Sequence, residues 1–186
     1  MFDRLFRRDR SGAGIPAALY GAIVAQARTP ALFRDFGVPD TVEGRFEMIL
    51  MHLAVVLRNL RGADGRVAGT GQAVFDRFCT EMDRTLREMG IGDLSVGRKM
   101  RQVGEAYYGR AAAYEAPLAA GDSAALAAAL SRNVYAGSPP AMAAEALAAY
   151  MIAADRAIAR HGAEGLAVGT IPFPAPGDFL QAETRA

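Results

Sequence analysis

Apolar residues along this chain recur at intervals of three and four, and no stretch alternates with the period of two that a half-buried strand requires. The pattern predicts a first helix from about Pro16 to Ala27. "RTPALFRDFG" restarts a second, with Thr29 as N-cap, Pro30 at the first helical position and Gly37 as the stop. In "VPDTVEGRFEMILMHLAVVLRNLRG", Val42, Phe46, Ile49, Leu53, Val56 and Leu60 form one stripe, and Asp40 with Glu43 reads as a capping box. Met48, Met51 and Val55 widen that stripe, so this helix is expected to be buried on two sides.

The glycine-rich run "RGADGRVAGTG" (61–71) reads as an exposed loop. A helix over about 72–89 follows, with Phe75, Phe78, Met82, Leu86 and Met89 expected inward and Arg77, Glu81, Arg84 and Glu88 outward. Gly90 and Gly92 end it, and Ser95 is the expected cap of a helix to about Tyr114. "GDSAALAAALSRNVYAG" and "SPPAMAAEALAAYMIAADRAIARHG" each carry a polar candidate N-cap and a terminal glycine. The expected fold is therefore all-α: a single compact multi-helix domain over 15–162, a basic flexible N-terminus over 1–14, and a Pro/Gly-rich extended tail over 163–186.

At 186 residues the chain can bury roughly 70% of its unfolded surface without help from a disulfide or a metal. Its single cysteine, Cys79, excludes an internal disulfide. A net charge of +1 implies no bulk attraction to nucleic acid, and no helix shows the one-sided basic face of a DNA reader, so DNA is not an expected partner. The start, "MFDRLFRRDR", has no apolar secretory core, and no segment reaches the ~20 apolar residues of a membrane span. The cytoplasm is therefore the expected location. Phe2, Leu5 and Phe6 share one face beside Arg4, Arg7, Arg8 and Arg10, which suits either peripheral contact with the inner face of the membrane or with ribosomal RNA, or a frayed end.

Marks of catalysis are missing. "GTGQAV" lacks the preceding strand and third glycine of a dinucleotide loop. His52 and His161 stand far apart without metal-ligand spacing, and Glu43 with Glu47 lacks the histidine of a di-iron bundle. Cys79 and His52 both lie on apolar faces and read as core residues. No enzyme activity, cofactor or metal is expected.

The most unusual segment is "MGIGDLSVGRKMRQVGEAYYGR" (89–110), where a helix accepts glycine at 97 and 104 at a cost of roughly 0.5–1 kcal/mol each. At 100° per residue, Val96, Met100, Val103, Tyr107 and Tyr114 face the core, and Arg98, Arg101, Gln102 and Glu105 face water. Gly97, Gly104 and Ala111 form a flat flank with Tyr108 beside them. Small residues seven apart let another helix approach closely, whether from the same chain or from another protein. The candidate partner-binding residues are Arg87, Gly97, Arg98, Lys99, Arg101, Gly104, Tyr108 and Arg110. A groove between the 72–89 and 96–114 helices, supplied with adaptable Met82, Met89 and Met100, is the expected site.

"FGVPDTVEGRFEMILMHLAVVLRNL" followed by "MDRTLREMGIGDLSVGRKMRQVGEAYYGR" resembles the ubiquinol–cytochrome c reductase assembly chaperone family over roughly residues 18–135. The matching positions are Val38, Pro39, Asp40, Gly44, Arg45, Phe46 and His52 in the first block. In the second they are Asp83, Arg84, Arg87, Glu88, Gly90, Gly92, Asp93, Leu94, Val96, Tyr108, Gly109 and Arg110. The resemblance implies a non-catalytic helical chaperone that holds newly made cytochrome b until it enters the respiratory ubiquinol–cytochrome c reductase. Mitochondrial members work with a small partner protein at the ribosomal tunnel exit; the absence of a targeting extension here fits a bacterial protein and leaves ribosome and partner docking open. The alternative is a helical carrier of a quinone-like or other isoprenoid lipid, which needs an enclosed apolar cavity.

Overall fold

The structure, a computed structural model, describes residues 14–62 and 69–180. The basic N-terminus, most of the glycine-rich loop and the last six residues lie outside them. The described chain is all-α, with seven helices: α1 (Gly14–Ala27), α2 (Pro30–Arg34), α3 (Val42–Asn59), α4 (Gly69–Glu88), α5 (Asp93–Ala120), α6 (Ser123–Val134) and α7 (Ala143–Leu166). A 3₁₀ turn, Pro176–Phe179, follows. None of these helices is long and apolar enough to cross a membrane.

Helix α3 is the centre. Every residue from Met48 to Leu57 is buried, so no face of this stretch meets water. That meets the expectation of burial on two sides and exceeds it, because α1, α5, α6 and α7 all pack against α3. Its start is set by Thr41, whose Oγ1 accepts a hydrogen bond from the Gly44 amide at 3.1 Å. The expected cap, Asp40, instead pairs with Arg45 at 2.6 Å. Gly44 is obligatory here, since a Cβ would lie 1.9 Å from the Pro39 carbonyl oxygen. Val42, placed by spacing on the core stripe, is 65% exposed because it precedes the packed part of the helix.

Other boundaries also move. Helix α4 begins at Gly69, before the expected Gln72. Helix α5 begins at Asp93 behind Gly92, not at Ser95, and runs past Tyr114 and through Pro117 to a left-handed Gly121. Pro117 lies in the last turn of α5. Asp122 caps α6 as expected, its side chain accepting from the Ala125 amide at 2.9 Å. Helix α7 has no polar cap: Ser138 donates its amide to Tyr135, and Met142, at φ 58°, precedes the first turn.

The C-terminal segment bends at Gly162 (φ 71°), continues helically to Leu166, and then folds back over the body of the molecule. Phe173 stands edge-on to His52 with ring centroids 5.3 Å apart, and Phe179 edge-on to Tyr150 at 5.7 Å. Beneath them lies a buried polar chain. Gln26 Nε2 donates to the Tyr150 hydroxyl at 2.9 Å and to the Pro174 carbonyl at 3.2 Å. The Met48 carbonyl can only accept, so His52 Nδ1–H donates to it (2.7 Å), and Nε2 accepts from Tyr150 Oη (2.8 Å). One network thus joins α1, α3, α7 and the tail.

His52 is therefore held neutral, its pKa lowered to about 4 by burial. The unfolded imidazole takes a proton below about 6.5, so between these values the unfolded state carries the extra charge. This contribution to stability is fully present above 6.5 and is lost as pH falls through the window to about 4. Replacing His52 by Gln should remove that slope. In urea unfolding, the wild-type advantage over His52→Gln is expected to shrink by about 3 kcal/mol between neutral pH and pH 4.

Candidate partner-binding surface

Helices α4 and α5 form an antiparallel pair joined by the tight turn at 89–92, and aromatic rings fill the seam between them. Phe75 lies 4.9 Å from the Tyr107 ring and 5.9 Å from that of Tyr108. Tyr107 is buried, which pushes its hydroxyl up to about 12, whereas Tyr108 is 64% exposed. The core side of α5 is as the periodicity predicts, with Val96, Tyr107 and Tyr114 buried and Met100 and Val103 half-buried. The expected groove between the two helices is closed by Phe75 at this end.

The candidate residues separate into two kinds. Arg110 is not an open surface group: it forms a two-pronged pair with Glu47 at 2.6 and 3.0 Å, linking α5 to α3. The Glu47 side chain is only 12% exposed, and its bond holds the guanidinium pKa up. Arg87 bridges Asp83 on α4 and Asp93 at the start of α5, so it pins the turn between them. Both residues shape the surface more than they offer themselves from it.

The remaining candidates are open. Arg98, Lys99 and Arg101 are exposed and form no ion pair among the described residues. A Cβ built on Gly97 or Gly104 would meet nothing within 4 Å. No helix of the described chain covers the glycine flank. The expected close approach is not made within the molecule.

Leu94, Gly97, Arg101, Gly104 and Tyr108 step by three and four along α5, which puts them on one outward strip. Leu94 is fully exposed, and Met89, expected inward, is 60% exposed at the neighbouring end of α4. Neither is among the eight partner-binding candidates, although Met89 is expected in the groove and Leu94, a family-matching position, lies one step back in the register of the two glycines. The strip is thus apolar at both ends, flat in the middle and basic along its edge. Met48 and Met51, by contrast, are wholly core, and Met82 and Met100 are half-buried.

Cys79 is half-buried, and burial followed by the nearby Asp76 carboxylate holds its thiol up, away from the nucleophilic thiolate. Among the described residues, no three His, Cys, Asp or Glu side chains come together as metal ligands would. The surface clefts are open to solvent and have charged rims, unlike an enclosed lipid cavity.

Comparison with known proteins gives two matches. The family model described as Ubiquinol-cytochrome C chaperone matches residues 34–173, extending beyond the two sequence blocks to include α7 and Phe173. The crystal structure of the Cbp3 homolog from Brucella abortus superimposes with a TM-score of 0.80 at 36% sequence identity, covering 95% of this chain and 98% of that one. No curated protein sequence matches.

The two kinds of residue should separate in urea unfolding. Gly97→Ala and Gly104→Ala each raise stability by about 0.5–1 kcal/mol, since both sites are helical and open. Arg110→Ala lowers it by about 1–3 kcal/mol, because Glu47 is left half-buried without its partner.

Proposed function

We infer the function from one premise: the chain belongs to the ubiquinol–cytochrome C chaperone family. Membership implies an assembly chaperone and not an enzyme. We propose that its client is newly made cytochrome b, which it holds until assembly into ubiquinol–cytochrome c reductase, at the inner face of the cytoplasmic membrane. No cofactor is needed for this work. Whether a ribosome or a small partner protein presents the client is a separate question from how the client is held.

The observation that carries this reading is the uncovered strip of α5. A helix interior normally avoids glycine, and an exposed leucine at one end of the strip and an exposed tyrosine at the other gain little from the fold. Both features make sense if another helix lies across Gly97 and Gly104 at close range. Leu94, Met89 and Tyr108 then supply apolar contact, while Arg98, Lys99 and Arg101 meet polar or acidic groups at the ends of the client's spans. A contact of this size binds reversibly, as a chaperone must.

The test is a deletion strain complemented by wild type or by a chain carrying Leu94→Glu and Tyr108→Ala, both at exposed positions. Deletion should lower membrane cytochrome b and assembled reductase selectively. The double variant should accumulate normally yet fail to restore them. Unchanged reductase in the deletion strain would remove the cytochrome b role. Full rescue by the double variant would remove the α5 strip from the site.

A further inference from the structure

The outer face of α7 carries two clefts with one side chain between them. The first, about 340 Å³, has Met142, Ala146 and Ala149 in its wall. The second, about 510 Å³, runs along Ala149, Ile152 and Ala153 to Arg156 and Arg160. Ala149 and Phe179 belong to both walls, so the Phe179 ring is the partition. The segment that brings it there is held by apolar packing, with Phe179 edge-on to Tyr150 at 5.7 Å, and by few polar bonds. Between Ile171 and Leu180, the bond from Gln26 Nε2 to the Pro174 carbonyl is the one hydrogen bond to the rest of the described molecule.

We infer that the two clefts are halves of one groove, that the groove takes an apolar α-helix of the membrane-spanning kind, and that Phe179 occupies its middle until such a helix displaces it. From Met142 to Arg160 helix α7 spans about 27 Å, close to the ~30 Å of a bilayer's hydrocarbon core. The floor is small: Ala146, Ala149 and Ala153 step by three and four, which admits a second helix at short range. That the site accepts an apolar ring is shown by the ring already in it.

Charge sets the direction. Glu145 borders the first cleft, beside an Asp35 already paired with Arg34, and Arg156 and Arg160 end the second. A helix lying with its amide end toward Glu145 and its carbonyl end toward the arginines has its dipole matched at both termini. The guest therefore runs parallel to α7. This inference rests on the chaperone reading but not on which membrane protein is the client.

The experiment uses the purified full chain and a fluorescein-labelled peptide of about 20 alternating leucine and alanine residues ending in two aspartates, with binding read by anisotropy. Phe179→Ala should tighten binding about tenfold, and adding Ala149→Glu should abolish the gain. Arg160→Glu should weaken the aspartate-ended peptide but not one ending in lysines. If Phe179→Ala fails to fold by circular dichroism, Ala149→Glu in the otherwise wild-type chain decides, since Ala149 is exposed; it must weaken binding about tenfold. Unchanged affinity in Ala149→Glu, or in folded Phe179→Ala, overturns the groove. Because the peptide is not cytochrome b, normal reductase in the deletion strain with peptide binding intact removes the client's identity and leaves the groove standing.

Discussion

Ten consecutive residues of α3 have no solvent-facing side, and the rest of the molecule is arranged to make that possible. A helix apolar all round cannot rest on the surface of a domain; it must be jacketed. Helices α1, α5, α6 and α7 supply the jacket. The polar ends of α3 are then tied to it by charge. Glu47 at one end binds Arg110 of α5, while Arg58 at the other reaches Glu115 of α5 at 2.9 Å and Asp155 of α7 at 3.2 Å. Asn59 adds a hydrogen bond to Asp155 at 2.8 Å. Sliding α3 along its axis would break both sets, so partly buried pairs fix the register that apolar packing alone leaves loose.

His52 is the polar exception inside that helix. Burying an imidazole is tolerable only when both ring nitrogens are satisfied, and here they are, by a backbone carbonyl and a tyrosine hydroxyl. The same tyrosine accepts from Gln26, and Gln26 holds the returning tail. A residue that looks functional by type is thus a joint between four parts of the fold. Phe173 packs edge-on to His52 and Phe179 edge-on to its bonded partner Tyr150, and these contacts hold the tail where it lies.

Small residues have opposite meanings in this molecule. Gly44 is forced by a carbonyl that leaves no room for a Cβ, whereas Gly97 and Gly104 face open space. The first serves folding, and the second pair lowers helix stability with no close contact in return among the described residues. On α7, Ala146, Ala149 and Ala153 line clefts on either side of Phe179. Under the proposed role, the basic residues along α5 and the Phe179 ring on α7 would keep empty apolar surface from aggregating.

Periodicity by itself determined the helical class, the burial of α3 on more than one side and the inner face of α5, because these follow from where apolar side chains fall on a 3.6-residue turn; that α3 has no open face at all came from the packing of its neighbours. It also determined that His52 is core, since its flanking residues leave no polar face. Two long sequence blocks carried the family. What periodicity could not reach are facts about partners distant in sequence. Arg110 looked like a surface cation because Glu47, 63 positions away, is invisible in its local pattern. Capping positions slipped by one or more residues because several polar side chains compete and backbone geometry chooses. The glycine flank was legible as a place for close approach, but only the packed helices decided that nothing in the described chain approaches it. The clefts beside Phe179 exist through a chain reversal that no spacing encodes.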